Sequence, residues 1–228
     1  MRVRMGLLAA EIAIMAVVFA LILFLAAGTI KWLPGWVFIG LFFGFVVAIT
    51  WWLHRHDPGL LAERMTGLAA ADEKTWDRVV MSVIGVLFLA WLVVMPLDAV
   101  RYGWSDMPAW LQCVGAIILV GSFCLFFLTY RENSYLSPAI RIQSERGQTV
   151  ISTGPYGVVR HPMYTAFLVY VVGTALLLGS WIGLGFGLLI VVGAAMRALP
   201  EERMLRRELP GYEAYMARVK YRLIPFVW

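Results

Sequence analysis

Charge is scarce in this chain. Only 14% of its 228 residues are Asp, Glu, Lys or Arg, where an ordinary soluble domain carries about 25%. With 61% hydrophobic residues, a single water-soluble core is excluded, and the apolar surplus must face lipid. Cysteine is almost absent: Cys113 and Cys124 are the two present. They fall in one predicted helix, about 16 Å apart along its axis, so they cannot bridge to each other. There is no CxxC and no Cys/His cluster, so no zinc site is expected. His54 and His56 flank Arg55 too closely to form one, and read as interfacial. Internal repeats and low-complexity linkers are also lacking.

What fills the chain instead is a series of apolar runs: Met5–Ala27, Pro34–Leu53, Val79–Leu97, Ala109–Tyr130, Met163–Ser180 and Trp181–Leu199. The first four approach the roughly 20 residues needed to cross about 30 Å of hydrocarbon. The last two meet at Gly179-Ser180-Trp181 and read as a tight helical hairpin. Its second arm holds Gly183, Gly185, Gly187 and Gly193, small residues that let membrane helices approach closely. Trp32, Trp36, Trp51, Trp52, Trp104, Trp110 and Trp181 sit at run ends, as interfacial belts require. The fold class is therefore all-α: a polytopic integral membrane protein of about six transmembrane helices. Met1-Arg2-Val3-Arg4 followed by an apolar run resembles a secretory signal, but the run is long for one and the topology needs it retained.

The formal charge of +5 does not point to nucleic acid, because the basic residues lie between the apolar runs. Arg2, Arg4, Arg55, Arg64, Lys74 and Arg78 alternate in side with Lys31 and Arg101, and the remaining basic residues cluster after the fourth and sixth runs. In all, 17 of the 19 basic residues fall on one side. That bias predicts a multi-pass protein with both termini in the cytoplasm.

Polar residues concentrate in Arg131–Arg160 and Arg197–Trp228. The tail reads as a helix near Glu201–Leu209, a break at Pro210-Gly211 and a short helix around Tyr212–Lys220. Within Gly154-Pro155-Tyr156-Gly157-Val158-Val159-Arg160-His161-Pro162-Met163-Tyr164, Gly-Pro makes a turn and Pro162 suits the first turn of a helix. Arg160 and His161 then sit at a helix N-terminus, where unpaired N–H groups attract an anion such as a carboxylate. A turn with interfacial anchors explains the same residues without chemistry. Arg197 and Glu201 lie four apart and so share a helix face, as a surface ion pair or as a site. Arg197 stands where an apolar run ends, a position at which ionisable groups are functional candidates. Pro200 is expected to kink the chain between them. Glu11 reads as snorkelling, Gln112 as an interhelical donor, and Asn133 and Ser137 as near neighbours of a pocket.

Taken together, Gly154-Pro155-Tyr156, Arg160-His161-Pro162-Met163-Tyr164, Arg197, Glu201-Glu202, Leu205, Tyr212, Tyr215, Val219 and Pro225 resemble the isoprenylcysteine carboxyl methyltransferase family, including its prokaryotic membrane relatives. The resemblance covers about the last hundred residues. It implies one membrane-embedded methyltransferase domain over 1–228, with N-terminal spans in 1–108 and a catalytic core with a cytoplasmic tail in 109–228. It implies S-adenosyl-L-methionine as cofactor, contacted by Gln143, Gln148, Thr149, Val150, Ile151, Tyr156, His161, Pro162, Met163, Tyr164 and Glu201. Arg197 is the implied catalytic and substrate-binding residue, gripping the acceptor carboxylate. The partners implied are a lipid-like or lipidated acceptor from the bilayer and membrane lipids, with no nucleic acid and no metal. Carboxyl O-methylation is the leading expectation. N-methylation of a phospholipid amine is the alternative, with His161 or Glu202 taking the proton. A non-catalytic transporter or assembly protein is the reading outside enzymes, though transporters place charge at mid-membrane and often show repeated halves.

Overall fold

The computed structural model describes residues 5–66, 75–138 and 140–228. Arg2, Arg4 and Lys74, part of the charge bias, lie outside the described residues. The elements are α1 (Met5–Ala27), α2 (Leu33–His56), α3 (Pro58–Thr66), α4 (Thr75–Pro96), α5 (Ala109–Glu132), α6 (Pro162–Leu178), α7 (Trp181–Met196), α8 (Ala198–Glu208) and α9 (Tyr212–Arg218). Among the described residues the segments long and apolar enough to cross a membrane are Met5–Ala27, Leu33–His56, Trp76–Arg101, Ala109–Glu132 and Trp181–Glu208. The protein is an all-helical polytopic membrane protein. Where about six spans were expected, five segments qualify, and α6, the first arm of the expected hairpin, is shorter.

That shorter helix is the axis of the bundle. Buried positions run the length of α6, from Pro162 through Ala166 and Tyr170 to Leu178. Its partner along this length is α5, and the two backbones touch where one of them is glycine. A Cβ on Gly173 would lie 2.8 Å from Leu119 Cα, and one on Gly115 would lie 2.7 Å from the Leu176 carbonyl carbon. Such close approach is the packing that small residues permit between membrane helices. Around Tyr170 stand Phe42, Phe88, Trp91, Phe123, Phe126 and Phe167.

The hairpin after α6 forms as the sequence predicts. Gly179 takes φ +81°, closing the helix, and Ser180 Oγ accepts the Gly183 N–H to start α7. The expectation for the four glycines of α7 holds for two. Gly183 and Gly187 press against Met95 and Trp91, whereas Gly185 and Gly193 face open space. Trp91 Nε1 donates to the Gly183 carbonyl at 2.6 Å. At the same end, Asp98 is wholly buried. Its Oδ2 accepts from Ser105 and Ser180 at 2.6 and 2.5 Å. Arg101 reaches the last carbonyls of α1, Leu25 and Ala26, at 3.2 and 3.4 Å.

At the other end lie α3, the loop from Asn133 to His161, α8, α9 and the tail. The helical pattern is interrupted between α7 and α8, within one turn before Pro200, whose missing N–H cannot bond the preceding turn. The chain turns at Arg197, where α7 ends, and Pro200 occupies the first turn of α8, a position where a missing N–H costs nothing. Gly211, at φ +86°, separates α8 from α9. Gln112 is no interhelical donor, since its Nε2 donates to the nearby Met107 carbonyl at 3.2 Å.

Candidate active site

The turn before α6 is locked by the C-terminal tail. The Gly154–Gly157 segment is a single 3-10 turn. Gly154 has φ +54°, and a Cβ there would meet Glu132 Cγ at 2.6 Å. Beyond the turn, the Arg160 and His161 N–H groups donate to the Tyr221 and Arg222 carbonyls, each at 2.9 Å. Thr165 Oγ1 donates to the Leu223 carbonyl at 2.8 Å. The tail thus takes a backbone donor that the sequence reading left for a bound anion.

The side chains of this region converge on Glu202, which is 3% exposed. Its Oε1 accepts Arg160 Nε at 2.6 Å and His161 Nε2 at 3.1 Å, and its Oε2 accepts Arg222 Nε at 2.9 Å. Arg160 also donates Nη1 to the Val219 and Lys220 carbonyls, both at 2.8 Å. A carboxylate only accepts, so the proton between Glu202 and His161 sits on Nε2. In the neutral ring Nδ1 is then the acceptor. Nδ1 stands 4.0 Å from Glu201 Oε2. Two acceptors at that separation do not bond to each other, but both can accept from one N–H-bearing cation.

Beside them opens a cavity of about 410 Å³, within the roughly 300–1,000 Å³ of small-molecule sites. One side is polar or aromatic, with Asn133, Tyr156, His161, Glu201, Tyr212 and Tyr215. The other is apolar and lies within the bundle, with Met81 and Ile84 of α4, Phe126 of α5, Phe167 of α6 and Ala194 of α7. Burial pushes the phenols of Tyr156, Tyr212 and Tyr215 up, so they stay neutral. Asn133 Nδ2 donates to the Tyr156 hydroxyl at 2.9 Å, and the Tyr215 hydroxyl donates to the Tyr156 carbonyl at 2.8 Å.

Of the residues expected to hold the cofactor, Gln148, Thr149, Val150, Ile151, Tyr156, His161, Pro162, Met163, Tyr164 and Glu201 line this cavity, as does Arg197. Gln143 does not. It is wholly buried behind the wall, where its N–H donates to Gln148 Oε1 at 2.7 Å and its Nε2 to the Tyr135 carbonyl at 2.7 Å. It holds the loop that presents Gln148, which is a different task from the one expected of it.

Arg197 is not paired with Glu201. Its Nε donates to Asp77 Oδ1 at 2.6 Å and its Nη2 to Asp77 Oδ2 at 2.8 Å. Nη2 also reaches the Pro138 carbonyl at 2.7 Å, and Nη1 the Tyr164 hydroxyl at 3.0 Å. That hydroxyl in turn donates to Glu201 Oε2 at 3.1 Å. The order is Asp77, Arg197, Tyr164, Glu201. Asp77 escaped the sequence reading altogether. Its signal was an acidic residue at the start of an apolar span, the same anomaly that drew attention to Arg197. Tyr212 and Tyr215, three apart on a short helix, were seen as motif residues but not as cavity wall.

No curated protein matches the sequence. Residues 110–210, from α5 to just beyond α8, match the family described as phospholipid methyltransferase. That family falls within the superfamily of isoprenylcysteine carboxyl methyltransferase-like membrane enzymes. The segment that builds most of this cavity is therefore similar to that family of membrane methyltransferases.

Proposed function

We propose that the protein transfers a methyl group from S-adenosylmethionine to an amine on a lipid-like acceptor, which enters the cavity through its apolar side. The resemblance alone favoured a carboxylate acceptor gripped by Arg197. The observation that carries the amine reading is the bidentate pair of Arg197 with Asp77. A guanidinium has five N–H groups, and four of those on Arg197 are bound within the chain. No fork remains for a substrate carboxylate. The Glu201 carboxylate at the cavity wall pairs with no Lys or Arg among the described residues, and the wall also carries Arg64, whose guanidinium lies over the Tyr130 ring. The phospholipid named in the family's description agrees with an acceptor bearing an amine.

The residues suit the cofactor. S-adenosylmethionine supplies an electrophilic methyl on a sulfonium, together with an ammonium group. Glu201 Oε2 is an acceptor for that ammonium, and the rings of Tyr156 and Tyr164 suit a sulfonium. The backbone of Thr149, Val150 and Ile151 makes no hydrogen bond among the described residues, leaving an edge of peptide groups beside the cavity. An amine must lose a proton before or as it is methylated. Glu202 already accepts three donors, so it is set aside as the proton acceptor. His161 Nδ1 takes that role. Positioning of acceptor and methyl in a water-poor cavity supplies the rest of the rate. We assign this end of the bundle to the cytoplasm, on the distribution of basic residues.

Calorimetric titration of S-adenosylmethionine into purified protein tests the cofactor assignment. Saturable binding is expected, weakened about ten- to a hundredfold by Glu201→Ala, the worth of one charge-assisted hydrogen bond. Absence of binding by the folded wild type refutes it.

A further inference from the structure

We infer that Asp77 decides which charge class of acceptor the cavity admits, by occupying the guanidinium fork of Arg197. The inference rests on the amine reading above, and it assigns a specificity-determining role to a helix outside the matched family segment. Asp77, Met81 and Ile84 stand at i, i+4 and i+7 on α4, so they share one face. Met81 and Ile84 line the apolar side of the cavity. Asp77, one turn earlier, is wholly buried and stands behind Arg197 rather than on the cavity wall. Both its oxygens are engaged, because Oδ2 also accepts the Ile140 N–H at 3.0 Å. This ties α4, the loop before Gln143 and the end of α7 to one carboxylate.

The consequence is a charge balance. With Asp77 in place, Arg197 is neutralised on the side away from the cavity and keeps no free fork. A carboxylate on the acceptor then finds no two-bond partner at Arg197, whereas an amine needs none. With the Asp77 charge removed, Arg197 becomes a buried cation without a counter-ion, a costly state. An anionic headgroup on the acceptor then supplies the missing partner, in the two-bond geometry that arginine favours. Asn at this position keeps the volume and one acceptor oxygen but loses the charge. A purely structural role for Asp77 would instead change the binding of all acceptors alike.

Three amphiphiles of one chain length, carrying an amine, a hydroxyl or a carboxylate, compete against one fluorescent fatty probe in detergent, with empty micelles as reference. Wild type should bind the carboxylate most weakly. Asp77→Asn should tighten carboxylate binding relative to the hydroxyl compound by about tenfold, the yield of one charge-assisted hydrogen bond. The gain should vanish when Arg197→Gln is added. Equal changes for all three compounds overturn the inference, as does wild type binding the carboxylate as tightly as the amine. That ranking in wild type decides the matter even if Asp77→Asn does not fold. Methyl transfer is scored separately. The predicted binding order without transfer to the amine compound would sink the amine reading alone. Transfer to the amine with unchanged selectivity in Asp77→Asn would sink the role of Asp77 alone.

Discussion

Arg160 Nε lies 2.6 Å from Oε1 of Glu202, and the two side chains are 5% and 4% exposed. Removing one member of such a pair strands the other charge in the interior. Glu202→Ala is predicted to cost about 3–5 kcal/mol of stability. It should also loosen the tail, since Arg222 loses the same partner. Thermal unfolding in detergent and amide exchange at residues 219–223 measure both effects. The exposed pair of Arg206 and Glu213, 53% and 71% exposed, is the control: Glu213→Ala should cost less than about 1 kcal/mol.

The seam between α5 and α6 makes a second prediction. Gly173→Ala inserts a methyl against the Leu119 backbone, which cannot give way as a flexible side chain would. A loss of about 1–3 kcal/mol is expected. Gly185→Ala and Gly193→Ala, where nothing lies within 4 Å, should leave stability unchanged or slightly raised. Unfolding of the three variants in one detergent compares them directly.

A pH prediction follows from Glu63 on α3. Its hydrogen bond from Arg141 holds the carboxyl below its ordinary value of 4.5, against the opposing effect of burial. Because the folded value is the lower one, this contact contributes stability above the ordinary value and loses it as pH falls through the folded value. Amide exchange in the 140–148 loop should accelerate across that acid range in wild type. In Glu63→Gln the dependence should be flatter. Identical pH profiles would remove the pair from the loop's stability.

The orientation is open to labelling. With Cys113 and Cys124, both exposed, replaced by alanine, Tyr102→Cys should react with an impermeant reagent in intact cells. Glu145→Cys should react only after permeabilisation. The reverse pattern would invert the topology.

Much of the fold was legible because long apolar runs and glycine turns are local signals. The first apolar run ends at Ala27, as α1 does, and the Gly179-Ser180 hairpin and the break at Gly211 lie where the sequence puts them. The helix α3, nine residues long, was not seen, since its pattern is too short to stand out. Nor was the π-helical turn Leu97–Arg101 that prolongs α4. In the site, most of the cavity lining follows from the motif. What the motif could not supply was pairing at a distance. Asp77 meets Arg197 across 120 positions of sequence, and Arg160 meets Glu202 across 42. Neither leaves a periodic trace. The i,i+4 spacing of Arg197 and Glu201 suggested the wrong partner, because Tyr164 from α6 stands between them.

Methyl transfer to a lipid amine can be read from the lipid product itself. Wild-type protein in nanodiscs containing phosphatidylethanolamine and a fatty acid is supplied with S-adenosylmethionine labelled in its methyl group, and the extracted lipid is treated with base. Label is expected in the amine lipid and should survive base treatment. Label released by base, marking a methyl ester on the carboxylate, or no label in lipid from protein that binds the cofactor, would contradict amine transfer.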